Sequence, residues 1–135
     1  MTKTPLTHIA RDERGQALTE FAFVLPLLVV LLFGVIQFGI LYNHYVTLTD
    51  AVRAGARKAA VSRYLGAGGA TTACQDAVKN SASDLDQSQL TISCTSTWAP
   101  SDDVTVEAQY PYSINLLGFP VTSGQLKSKT TERVE

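Results

Sequence analysis

Residues 14–42 read RGQALTEFAFVLPLLVVLLFGVIQFGILY. A charged leader ends at Gly15, one carboxylate follows at Glu20, and Phe21–Tyr42 then carries Gln37 as its only conventional polar side chain. At a rise of about 1.5 Å per residue, that run covers the roughly 30 Å of a bilayer core. A cleaved secretory signal fits poorly. Its apolar region runs roughly 7–15 residues with a small-residue cleavage site close behind. Here Leu41-Tyr42-Asn43-His44-Tyr45 follows, and Ala54-Gly55-Ala56, the nearest candidate, stands far downstream among arginines. The run reads as a retained anchor. Glu20 is its anomaly, because an acid at the mouth of a membrane helix is expensive unless something pairs with it.

Within the anchor, Pro26 removes the N–H that would bond the Ala22 carbonyl, so a kink or loosening is expected there. Gly34 and Gly39 are not spaced as a Gly-x-x-x-Gly pair and fit ordinary membrane-helix composition. Beyond the membrane, Leu41, Tyr45, Leu48, Val52, Gly55/Ala56 and Ala59 recur at steps of three and four. This small-residue stripe suits a sheet or a second helix lying close against it. Asp50 and Arg53 fall on a separate polar face, one turn apart. Arg53, Arg57, Lys58 and Arg63 read as a solvated face, with lipid headgroup binding as the alternative. A rod from Ala17 to Leu65, ended by Gly66-Ala67-Gly68-Gly69, would be about 70 Å long.

The chain has 135 residues, a formal charge of −1 and 17% charged residues. That leaves room for one small domain beside the anchor and offers no basic surface for nucleic acid. Its two cysteines, Cys74 and Cys94, lie in the Ser/Thr-rich second half without Cys-x-x-Cys spacing or a nearby histidine. A disulfide in an oxidising compartment explains them better than metal or redox chemistry. Basic residues do not orient the anchor, since Lys3, Arg11 and Arg14 on one side face four on the other. The cysteines decide, and place residues from about 45 onward outside the cytoplasm.

Thr72-Ala73-Cys74-Gln75 has a capping-box pattern, and Ala77, Val78, Ser81 and Leu85 suit a short helix after it. Leu90, Ile92 and Cys94 alternate as a strand, as do Val104, Val106, Ala108, Tyr110 and Tyr112, with Pro111 at its end or at an edge. Leu126–Val134 reads as a less apolar edge strand. The apolar loop between these last two, Ile114, Leu116, Leu117, Phe119, Pro120 and Val121, is expected to pack under the sheet, with an exposed contact patch as the alternative. The fold class is therefore α+β: a long N-terminal transmembrane helix, a short helix and a small antiparallel sheet.

No catalytic, cofactor or metal constellation emerges. His8 and His44 stand alone, and Asp84/Asp86 and Asp102/Asp103 lack the glycine and distal Glu of a calcium loop. Trp98 reads as a core or loop-packing aromatic. There is no Gly-x-Ser-x-Gly and no phosphate-cradling glycine loop, so the chain does not read as an enzyme.

The leader, Gly15 and Glu20-Phe21 before an apolar helix resemble the processing region of type IV prepilins. RGQALTEFAFVLPLL, Asp50-Ala51-Val52-Arg53-Ala54-Gly55-Ala56-Arg57 and the terminal Thr131-Glu132-Arg133-Val134-Glu135 resemble the TadE-like pseudopilins of bacterial tight adherence (Tad, or Flp) pili. The resemblance implies a pilin-like fold divided as a leader at 1–15, an extended helix at 16–65 and an extracytoplasmic domain at 66–135. It also implies cleavage after Gly15 by a membrane aspartyl prepilin peptidase, with Gln16 as the new N-terminus. Glu20 then pairs with a neighbouring subunit's new ammonium, at a depth where an unpaired carboxylate is costly. Gln16 departs from the usual Phe and can cyclise to pyroglutamate, which removes that charge. The processing residues are thus Gly15, Gln16, Glu20 and Phe21. The expected partners are the inner membrane, the peptidase, other pseudopilins, the major pilin and inner-membrane platform proteins, with no nucleic acid. The expected role is a minor pseudopilin in pilus assembly, initiation or cell adhesion, anchored in the inner membrane with its C-terminal domain periplasmic or carried into the pilus. The alternative is an unprocessed, single-pass anchored scaffold or binding module.

Overall fold

A computed structural model describes residues 13–116 and 118–135. The expectations resting on residues 1–12 and on Leu117 lie outside that range. Helix α1 spans Glu13–Ala60, 48 residues or about 72 Å of continuous helix. Pro26 stands inside it without ending it. A 3-10 turn at Arg63–Leu65 leads into α2, Gly66–Ser81. Three strands follow: β1 Thr91–Thr95, β2 Asp103–Leu116 and β3 Phe119–Arg133. They form one antiparallel sheet in the order β1-β2-β3. The architecture is α+β.

The expected stripe on α1 packs this domain. Leu48, Val52, Ala56 and Ala59 are fully buried, and Tyr45 alone turns outward. Alternate residues of β2, Val104, Val106, Ala108 and Tyr110, face the helices, as a one-sided antiparallel sheet requires. Ala70, Cys74 and Val78, four residues apart, form the buried face of α2. At Gly55 a Cβ would overlap Val78 Cγ2 and lie 3.3 Å from the Cys74 carbonyl oxygen, so the glycine sets how closely the two helices approach. Cys74 and Cys94 are joined as a disulfide that ties α2 to β1. Trp98 packs partly buried against this core. Asp50 pairs with Arg53 at 3.5 Å on the exposed face, a contact worth little to stability.

The structure corrects four sequence expectations. The long helix stops at Ala60, not at Leu65. The Ser62 N–H and hydroxyl donate to the Ala59 and Lys58 carbonyls, and the Glu135 N–H donates to the Ala60 carbonyl at 3.0 Å. Terminal acceptors that further helix would have used are thereby satisfied. Gly66-Ala67-Gly68-Gly69 is the start of α2, not a terminating loop. Gly66, at φ +73, turns the chain back, and packing on α1 overrides the weak helix propensity of its glycines. Thr72 accordingly sits inside α2 with its hydroxyl donating to the Gly68 carbonyl, not at an N-cap. Finally, the segment expected to fold under the sheet is the tip of a long β2–β3 hairpin. Phe119 and Val121 are 75% and 62% exposed there. Cross-strand pairing runs to Leu116–Phe119, with an irregularity at Ile114/Asn115, and Gly118 at φ +88 makes the turn. Pro111 lies beyond Gln109, the last partner of β1, so β2 passes through it paired with β3 alone, opposite Gln125.

Candidate functional site

Gly15–Phe21 forms an exposed helical segment at the start of the apolar run. The Thr19 hydroxyl donates to the Gly15 carbonyl at 2.9 Å, and the Gln16 amide donates to Glu20 Oε1 at 3.4 Å. Gln16 and Glu20 therefore share one helix face, one turn apart. Among the described residues no cation reaches the Glu20 carboxylate. Nothing lies within 4 Å of a Cβ built on Gly15. The peptide following Gly15 is open to a partner, although it is held in helix.

The apolar run behaves as a surface that solvent water would not tolerate. The helix has a window of mean hydropathy 2.7, none of it buried within the molecule. That combination excludes a soluble core helix and fits membrane anchoring. From Gln16 to His44, which meets Tyr110 of the folded domain, is about 42 Å along the axis. The head is thus held at a fixed distance from Glu20 by unbroken helix.

The disulfide lies in the head, far from Gly15 and Glu20. The acidic pairs are turn residues. Asp86 accepts hydrogen bonds from the Ser88 hydroxyl and N–H and from Gln89, and these hold its carboxyl below the usual carboxylate range. Asp102 is lowered likewise by the Thr97 hydroxyl and then by the Asp103 N–H. Neither faces another carboxylate across a cavity, and no group of metal-ligating side chains occurs among the described residues. His44 meets the edge of the Tyr110 ring, with centroids 5.6 Å apart. Sequence reasoning missed that contact, whereas the close approach at Gly55 answers its expectation of a sheet or second helix lying close against the small-residue stripe. The short periodicity of small residues around Gly55 was the available signal.

An exposed membrane-length helix that runs unbroken into a disulfide-tied three-stranded head defines, among the described residues, an α+β protein with one helix of anchor length. Within that class, residues 15–57 match the family described as TadE-like protein, a segment that begins at Gly15 and runs through the apolar helix into the part of α1 that packs in the head. No curated protein and no solved structure matches the chain.

Proposed function

We propose that the chain is a minor pseudopilin of a Tad pilus, cut after Gly15 and used in pilus assembly, initiation or adhesion. The observation that carries this reading is the TadE-like match starting at Gly15, on a helix whose membrane-length apolar window is unburied. Hydrolysis of the Gly15–Gln16 amide leaves a carboxylate on the leader and an ammonium on Gln16. That ammonium ordinarily titrates near pH 8 and is charged at neutral pH. It would arise one turn from Glu20, whose carboxylate has no cationic partner among the described residues. Glu20 then lies in the first turns of the mature helix, where a negative charge also meets the positive end of the helix dipole. The bond must leave helix to enter a peptidase, and Gly15 lowers that barrier, since glycine weakens a helix by roughly 0.5–1 kcal/mol relative to alanine.

The large head, held by continuous helix, supports a minor subunit with the domain on the periplasmic side, where its disulfide persists. The boundaries that follow are a leader at 1–15, a helix from 16 and a head that closes around residues 44–135. The prepilin peptidase, other pseudopilins, the major pilin and platform proteins are the proposed partners. An unprocessed anchored scaffold is the second reading, favoured by the helix that runs unbroken through Gly15 and by the Gln16–Glu20 hydrogen bond. Intact mass from cells with and without the peptidase separates the two. The expected product begins at Gln16, free or cyclised with loss of ammonia, only when the peptidase is active. A chain that keeps its leader in both strains overturns the pseudopilin reading.

A further inference from the structure

The β2–β3 hairpin runs back along α1 toward the membrane. Its open end is fixed at Ala60 through the Glu135 N–H, and Tyr110 meets His44 lower down. From Asp103 to Tyr110 is about 23 Å of strand, and from Ala60 to His44 is about 24 Å of helix. The two elements therefore keep pace. Beyond Tyr110 the hairpin continues, and a cleft of about 210 Å³ lies between Gln37–His44 and Tyr110–Ile114. Ile114 thus stands beside the last turns of the apolar run. Leu116 and the turn carry the tip roughly another 7 Å in the same direction.

The composition of the hairpin changes where it passes the membrane edge. Between Glu107 and Lys127 there is no charged residue. Tyr110 and Tyr112 lie near the level of Tyr42 and Tyr45 on α1, the place where amphipathic aromatic rings favour a membrane–water interface. Below them, Phe119 and Val121 are exposed. The tip backbone remains paired to Leu116–Phe119, which limits the polar groups it would carry into lipid.

We infer that the tip of the β2–β3 hairpin enters the leaflet on the domain's side, giving the chain a second membrane contact beside α1. The occupant of this apolar surface is lipid, because the tip is continuous with the exposed apolar face of the anchor. The insertion orients the head on the bilayer and resists its rotation about the single helix. It rests on the reading that Phe21–Tyr42 spans a membrane.

The test uses the full chain in phosphatidylcholine vesicles, with Trp98→Phe as background and a single tryptophan placed by Phe119→Trp, Phe33→Trp or Tyr64→Trp. Phe33 reports the anchor, and Tyr64 reports the far end of the head. The expected result is blue-shifted emission from the Phe119→Trp and Phe33→Trp variants, quenched by brominated acyl chains and not by aqueous iodide. The Tyr64→Trp variant should show the reverse. Phe119→Trp that stays open to iodide while Phe33→Trp is quenched by lipid overturns the insertion alone. Phe119→Trp shielded from both quenchers also overturns it, and assigns the tip to a second copy or another protein. If Phe33→Trp is not quenched by lipid, the membrane span fails and the insertion fails with it. Broadening of the Phe119 and Val121 amide signals by a lipid-borne nitroxide tests the unsubstituted chain, and its absence counts equally against the insertion.

Discussion

Gly55→Ala sets two known effects against each other at one position. In an exposed helix interior the change stabilises by about 0.8–1.0 kcal/mol through helix propensity alone. Here the new methyl overlaps Val78 Cγ2 and sits 3.3 Å from the Cys74 carbonyl oxygen, which belongs to a backbone held by the disulfide. Overpacking of this kind costs about 1–3 kcal/mol. The variant is therefore expected to lose up to about 2 kcal/mol net. Val78→Ala alone should lose more than about 1 kcal/mol by emptying a fully buried site. In the double variant the alanine at 55 fills part of that space. The two changes should then be less harmful together than their sum by about 1–2 kcal/mol. Denaturant unfolding of the oxidised chain in detergent micelles, followed by fluorescence of the half-buried Trp98, measures all four corners of the cycle. Gly55→Ala more stable than the parent, with additive effects in the cycle, would refute the close approach of α1 and α2.

Three further outcomes follow from the head and the anchor. Cys74→Ser with Cys94→Ser, or reduction of the native pair, should cost about 3 kcal/mol and lower the melting temperature by roughly 10–20 °C, read by circular dichroism in micelles. Asp102 has a lowered folded pKa, so the stability it lends is present above the ordinary carboxylate range and is lost as pH falls through its folded value. Acidification should lower the protection factor of the Asp103 amide, which donates to the Asp102 carboxylate, and Asp102→Asn should remove the pH response. Glu20→Gln should leave cleavage after Gly15 intact by mass while reducing cross-linking between mature neighbouring subunits. Unchanged cross-linking would contradict pairing of that carboxylate.

The course of α1, though not its end, was legible because its signals are local. The apolar length of Phe21–Tyr42 and the stripe through Leu48, Val52 and Ala59 are both written at helical spacing, and each side chain's face follows from its own neighbours. The alternation of Val104, Val106, Ala108 and Tyr110 gave β2 for the same reason. Its length was underestimated because Pro111 reads as a strand end, and only the extent of β1 tells which side of β2 lacks a partner there. In the candidate site, Gly15, Gln16, Glu20 and Phe21 could be named in order. Their exposure and the Gln16–Glu20 hydrogen bond needed coordinates.

The sequence by itself determined an anchor of membrane length, an acid at its mouth, an amphipathic continuation and a strand-rich cysteine-bearing head. Those are properties of short windows, fixed by hydropathy and by periods of 3.6 and 2. Only the tertiary structure decided where α1 ends, because Glu135, far along the chain, donates to Ala60. It also decided that a glycine-rich stretch would be helix, since packing against α1 outweighs its poor local propensity. The course of the hairpin tip beside the membrane run was settled in the same way. It depends on pairing between β2 and β3 and on the seating of Tyr110 against His44, contacts between residues far apart in the chain that no local pattern encodes.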